Sequence, residues 1–230
     1  MSTSAEAELH QGTDDGGLAT LAGEVFTREA AAVAALAAGA ESRAEPSVAS
    51  GVVAVARRML AVTGKVVTTG AGTSGIMAER LAHLLSVCGT PAVYLPAGDA
   101  LHGGMGAITP HDLVLALSKT GRSAELTGLA GRLVERGVPV VAVTEDAGSP
   151  FAAAASCVVA LPATAPGADP GDMIAMGSTL AVGAWGDALA VVAMALRGHT
   201  LHDVVHSHPA GGVGARGHRP GDESAPVVSA

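Results

Sequence analysis

Four aromatic side chains are all that 230 residues carry: Phe26, Tyr94, Phe151 and Trp185. Lysine is as scarce, with Lys65 and Lys119 alone, and the formal net charge is −8. Such a chain has neither stacking platforms nor a basic footprint, so no nucleic-acid partner is expected. Cysteine is limited to Cys88 and Cys157, both in apolar segments and at no metal-ligand spacing. They read as reduced core residues of a cytoplasmic protein, and no metal site is expected. No basic segment followed by an apolar run opens the sequence, because residues 1–17 are polar and acidic. One apolar stretch, 176–196, is long enough to span a bilayer but carries Asp187 near its middle. A mid-bilayer aspartate costs about 2.5–3.5 kcal/mol, so a buried helix is the better reading and no membrane partner is expected.

What the chain has is small apolar residues in an alternating pattern. Apolar types make up 49% of it, mostly Ala and Val, which lets elements pack closely. Tails are expected at 1–17 and 214–230, where Gly, Pro and charge occur without periodicity. Between them, 18–213 reads as one domain. Helices are predicted over 18–40 and 46–62, the second opened by Pro46 and closed by Gly64. Then come strand 65–69, helix 75–87, strand 92–95, an irregular stretch 98–110, strand 113–117 and helix 123–136. Strand 138–144, a short helix 149–155, strand 157–161, a Pro/Gly/Asp-rich segment 163–172 and a long helix 173–197 complete the order. Short, nearly all-apolar strands separated by helices imply a single doubly wound α/β domain. Its sheet is mostly parallel and five-stranded, with helices on both faces. Ligands of such sheets bind beyond the carboxyl ends of the strands.

Two loops at those ends carry the chemistry. The first strand runs into Gly70-Ala71-Gly72-Thr73-Ser74-Gly75, a literal GxGxxG, with Asp99 beyond the second strand where a ribose-binding acid could fall. Taken alone this favours a phosphate at a helix N-terminus without saying which phosphate. The third strand runs into Ser118-Lys119-Thr120-Gly121-Arg122-Ser123, with three hydroxyls and a glycine. Two hydroxyl-rich loops can wrap one terminal phosphate from two sides, whereas a dinucleotide needs one open groove. The plainer alternative is that these hydroxyls are ordinary helix caps and turns.

The segments GAGTSG, PAGDALHGGMGAITPHDLVLALSKTGRSAEL, GDALAVVAMALRG and SHPAGGVG resemble the sugar isomerase (SIS) domain family, nearest its arabinose 5-phosphate isomerase branch. The likeness covers roughly residues 45–214. It implies a cofactor-free exchange of an aldopentose phosphate with a ketopentose phosphate. It also implies phosphate binding by Gly72, Thr73, Ser74, Ser118, Thr120 and Ser123, and catalytic roles for His102, Glu125 and His208. The branch usually carries a pair of CBS modules after this domain, and the expectation here is the domain without them. Two positions depart from the pattern. The lysine implied in the first loop is Thr73, and the glutamate implied eleven residues before Ser178 falls at Gly167, with Asp169 and Asp172 nearby. GAGTSG is also the loop of the N-acetylmuramic acid 6-phosphate etherase branch, without further likeness.

The chemistry can be argued from the residues as well. Aldose–ketose exchange moves a proton between adjacent carbons through an enediol and needs a base near neutrality, for which histidine is the natural candidate. Of nine histidines, His10, His199, His202 and His218 are expected to be solvated. His83 is expected to pack or cap, and His111 to be structural. His206 and His208 would face the same way on an extended segment, with Pro209 and the following glycines presenting His208. His102 is flanked by Gly103 and Gly104 in a loop. Glu125 falls in a helix first turn, where a carboxylate is also simply favoured by the macrodipole. Arg57, Arg58, Arg132 and Arg136 read as solvated faces. A non-catalytic phosphosugar-binding protein, or another enzyme on the same scaffold, remains open beside the isomerase. The Ala-rich N-terminal helices cannot bury their apolar faces within one small domain, so a homotetramer or dimer with interfacial active sites is expected.

Overall fold

The computed structural model describes residues 14–41, 47–217 and 219–220. Two helices come first, α1 (Asp15–Glu41) and α2 (Val48–Ala61), followed by β1 (Val66–Gly70), α3 (Thr73–Val87) and β2 (Ala92–Tyr94). The short α4 (Ala97–Leu101) and a 3-10 turn (Gly104–Ala107) lead to β3 (Leu113–Leu117) and α5 (Ala124–Glu135). Next are β4 (Val140–Thr144), α6 (Pro150–Ala154), β5 (Cys157–Ala160) and a second 3-10 turn (Pro170–Asp172). The long α7 (Gly177–Arg197) precedes α8 (Leu201–Ser207) and α9 (Gly211–Arg216).

The five strands form one sheet in the order β2-β1-β3-β4-β5, every pair parallel. This is the doubly wound architecture expected from the apolar runs. Their period of two divides the core. Leu113, Leu115, Leu117, Val141 and Val143 face α2, α3 and α7 with Met59, Leu85, Trp185 and Leu189. Val114, Ala116, Val140 and Ala142 face α4, α5 and α6 with Leu126, Leu133 and Phe151. The covering helices present apolar residues at helical spacing: Val52, Val55, Ala56 and Met59 on α2, and Leu126, Leu129, Ala130 and Leu133 on α5. Serines begin three of them. Ser47, Ser123 and Ser149 each accept a backbone N–H from the first turn of α2, α5 and α6.

Several boundaries differ from expectation. The first helix starts at Asp15 and the last runs to Arg216, so the parts of the expected tails at 15–17 and 214–216 fall in helices. Residues 1–13, 218 and 221–230 of those tails, with His10 and His218, lie outside the described residues, as does Pro46. The stretch 98–110 is not irregular throughout, since it holds most of α4 and a 3-10 turn. Arg136, expected on a solvated face, donates to the carbonyls of Met105 and Ile108 and ties this stretch to α5. Gly64 does not cap α2, whose C-cap is Val62, but gives room to the Asp112 carboxylate beside it. The long helix starts at Gly177 rather than at residue 173. It is long and apolar enough to cross a membrane by composition, yet it buries Trp185, Leu189 and Ala193 against the domain. Its Asp187 meets Arg80 of α3 through two short contacts.

Candidate functional site

The strand order reverses between β1 and β3, and register pairs Gly70 with Leu117. The two hydroxyl-bearing loops therefore leave neighbouring strands at the same level, at the switch point where doubly wound sheets bind ligands. The glycines of the first loop have separable roles. A Cβ on Gly70 would lie 2.6 Å from the Ser74 carbonyl oxygen, so α3 can begin against the strand end only if that side chain is absent. Gly72 takes φ 56° and serves as an N-cap without a side chain, which leaves the first turn of α3 uncapped and open to an anion. Thr68 donates to the Ala78 carbonyl at 2.7 Å and anchors α3 on β1.

A cavity of about 40 Å³ opens beside these loops, between the ends of β3, β4 and β5 and the start of α7. Ser74 and Ser118 line it together with Lys119, Thr144, Glu145 and Ser178, over a floor of Leu117, Val143 and Leu161. Among the described residues no hydrogen bond occupies the Ser74, Ser118 or Thr120 hydroxyls. The second loop is fixed by its neighbour: the Lys119 carbonyl accepts from Thr144 Oγ1 and from the Glu145 N–H, both at 2.9 Å. Glu145 in turn accepts from the Thr164 N–H and hydroxyl.

Asp169, 2% exposed, lies behind the lining residues Lys119 and Ser178. Its Oδ2 lies 2.6 Å from Lys119 Nζ, and its Oδ1 accepts from the N–H groups of Met176 and Ser178 at the start of α7. Burial alone would raise this carboxyl, but the Lys119 ammonium, the Ser178 hydroxyl and N–H and the Met176 N–H outweigh it and lower it to about 2 from 3.8. The carboxylate is therefore charged and fully engaged. Of the two acids near the missing glutamate, Asp169 contacts the cavity-lining Lys119, while Asp172 is exposed. Gly167 takes φ 78°, which a glutamate would adopt only with strain. Sequence reasoning did not single out Lys119. The only local signal was a lysine inside a hydroxyl-rich loop.

The other expected site residues are dispersed. Gly72 and Thr73 stay at the start of α3 outside the cavity lining, as does Thr120 in the second loop. The Ser123 hydroxyl is partly committed to capping α5. Glu125 is exposed in the first turn of that helix and makes no capping box. His102, exposed, ends α4 beyond β2. His208 ends α8, half-buried, with Nδ1 3.1 Å from the Val204 carbonyl. None of these three lines the cavity of its own chain. The segment before His208 is helical rather than extended, so His206 and His208 do not share a side. His199, expected to be solvated, packs its ring against Gly89 with Nε2 buried and unpartnered, whereas His83, expected to pack or cap, is exposed. Among the described residues no group of three or more His, Cys, Asp or Glu is placed to hold a metal ion.

Comparison with known proteins adds to this geometry. Residues 59–192 match the SIS domain model. Arabinose 5-phosphate isomerase KdsD of Escherichia coli K12 is 36% identical over 159 residues, which is 69% of this chain and 48% of that protein. KdsD of Pseudomonas aeruginosa is 38% identical with the same coverage, 69% and 48%. The chain thus spans about half the length of the curated relatives it matches. A candidate sugar-phosphate isomerase from Listeria monocytogenes superposes with a TM-score of 0.78 at 30% identity, over 86% of this chain and 100% of that one. The Escherichia coli CFT073 protein c3406, solved in complex with A5P, gives 0.77 at 26% identity over 86% and 100%.

Proposed function

Because the chain belongs to the SIS domain family, we propose that it is a cofactor-free, cytoplasmic aldose–ketose isomerase of a phosphorylated sugar, arabinose 5-phosphate or a close analogue. The observation that carries this reading is the pair of hydroxyl loops at the sheet's switch point, opening on one small cavity with Ser74 and Ser118 in its wall. The phosphate is held there by the uncapped start of α3 and by hydroxyl donors. The sugar carbons extend outward, and a proton moves between adjacent carbons through an enediol. His102, His208 and Glu125 are the groups assigned to that transfer. They do not line their own chain's cavity, which fits an active site completed by a neighbouring subunit.

Apolar surface supports such an assembly. A cavity of about 380 Å³ lies between α1, α2 and α7 against Trp185, Leu36 and Val52, and α1 exposes Leu18, Leu21 and Phe26. A dimer or tetramer is the expected state, and a fully active monomer by light scattering would contradict it. The catalytic reading is tested by turnover of phosphorylated pentoses in deuterated water, with deuterium entering the carbon next to the carbonyl. His208→Ala should cut the rate by roughly 10²–10⁴-fold with phosphosugar affinity nearly kept. Glu125→Gln separates catalysis from a helix-start role by a large rate loss with normal folding. The second reading, a non-catalytic phosphosugar-binding protein, is favoured by Thr73 and Gly167 standing where the resemblance implies lysine and glutamate. Binding without turnover or deuterium exchange on any phosphosugar would establish it.

A further inference from the structure

The first loop carries no cation, since Thr73 stands where a lysine is implied, and among the described residues the only cation lining the cavity is Lys119. We propose that Lys119 binds the phosphate in this chain, seated by Asp169, and that it sets the preference for a phosphorylated over an unphosphorylated sugar. The proposal rests on the phosphosugar reading and adds a residue to it.

Position decides which end of the substrate Lys119 meets. The cavity it lines is the one that Ser74 and Ser118 line at the strand ends, where hydroxyl donors and an ammonium suit a phosphate oxyanion. The ammonium is also available. It has three N–H donors, Asp169 takes one at 2.6 Å, and no other acceptor among the described residues takes the rest. The Asp169 charge is offset a second time by the Met176 and Ser178 N–H groups, the positive end of α7. The Lys119 charge is therefore only partly neutralised by its partner. The backbone of Lys119 is pinned through its carbonyl by Thr144 and Glu145, so little ordering is left to be done when a ligand arrives. Charge balance makes the lysine indispensable. Without it the lining holds Glu145 and, among the described residues, no cation, with the buried Asp169 behind it, an arrangement that repels a dianion.

The test is calorimetric titration with inorganic phosphate of the wild type, Lys119→Met, Lys119→Arg and the double variant Lys119→Met/Asp169→Asn. The double variant removes carboxylate and ammonium together, so its loss of binding cannot be put down to an unpaired buried aspartate. Both methionine variants should bind phosphate about tenfold or more weakly, as expected for loss of a charged donor, while arginine retains most of the affinity. In turnover the methionine variants should raise KM for the phosphosugar with kcat near wild type. Wild-type phosphate affinity in the folded double variant would overturn the proposal. So would a fall in kcat at unchanged phosphate affinity, which places Lys119 at the sugar. If Ser74→Ala weakens phosphate binding while the Lys119 variants do not, the phosphate site stands and the lysine's part in it falls. A wild type that binds neither phosphate nor phosphosugar removes both.

Discussion

Each of the two lysines meets a buried aspartate, and the two pairs sit at opposite ends of β3. At the amino end, Asp112 accepts from the Lys65 N–H and Nζ and from the Thr109 N–H and hydroxyl, at 2.8–3.0 Å. Lys65 Nζ gives a further hydrogen to the Ala107 carbonyl. No room is left there: a Cβ on Gly64 would strike the Asp112 carboxylate. At the carboxyl end, Asp169 is equally satisfied, but among the described residues the Lys119 ammonium has one partner, and it looks onto a cavity edged by hydroxyls that no described residue occupies. Both carboxylates are 2% exposed. Burial and acidity therefore do not tell a clamp from a binding site; the donors left over on the cation, and the space beside it, do.

Acid should produce the largest effect, and it should strike both pairs. Burial pushes the Asp112 carboxyl up, but donation from Lys65 and Thr109 outweighs it and holds the group at about 2, as at Asp169. A carboxyl lowered on folding stabilises the fold fully above its unfolded value, 3.8 here, and loses that contribution as pH falls towards 2. Each pair should thus lose about 2 kcal/mol over that window, roughly 4 kcal/mol in all. Urea unfolding followed from pH 6 to pH 2 checks this. Asp112→Asn should flatten the acid limb by about half if the two ends contribute alike.

The next effect separates the ends. Asp112→Ala removes the acceptor of four hydrogen bonds, and should cost about 3 kcal/mol of stability. Phosphate affinity should stay at the wild-type value, because the site lies at the other end of the strand. A variant that also lost phosphate binding would show that the ends are coupled and that the comparison fails.

Substituting a hydroxyl at the open end should give the reverse pattern. Ser74→Ala removes a donor to a charged ligand, and should weaken inorganic phosphate binding by about 2 kcal/mol while barely changing the urea midpoint. Thr120→Ala should do the same if the second loop closes on the anion. Unchanged affinity in both would return these loops to the role of turns.

The sheet was legible because β3 and β4, buried on both faces, are written as nearly continuous apolar runs, and β1, equally buried, as a β-branched run that ends at Gly70. Helices α2 and α5 were legible from apolar residues three and four apart. The two hydroxyl loops were placed correctly because both follow strands directly. What could not be read was pairing across distance. Lys65 lies 47 residues from Asp112 and Lys119 lies 50 from Asp169, with no local pattern linking either pair. The start of α7 was misplaced for the same reason. Met173 to Met176 look helical as a string, but Asp169 takes the N–H of Met176 and so holds the chain out of the helix until Gly177. The expectation that His206 and His208 share a side did not hold, because the chain is helical up to His208 rather than extended.

A third ion pair supplies the scale for both ends. Arg80 and Asp187 bridge α3 and α7 through two contacts at 2.7 and 3.0 Å, geometry as good as either buried pair offers, but the side chains are 45% and 48% exposed. In water the attraction is weak, salt screens it, and two long side chains must be ordered to make it. Asp187→Asn should therefore cost about 0.5 kcal/mol, and the loss should vanish in about 1 M salt. The loss in Asp112→Ala should persist there, because most of it comes from unsatisfied buried donors rather than from charge. Urea midpoints for the two variants at low and high salt make the comparison directly. An Asp187 variant as damaging as Asp112→Ala, and equally indifferent to salt, would mean that bond geometry rather than burial sets the strength of these pairs. The ranking of the two ends of β3 would then have to be drawn from geometry alone.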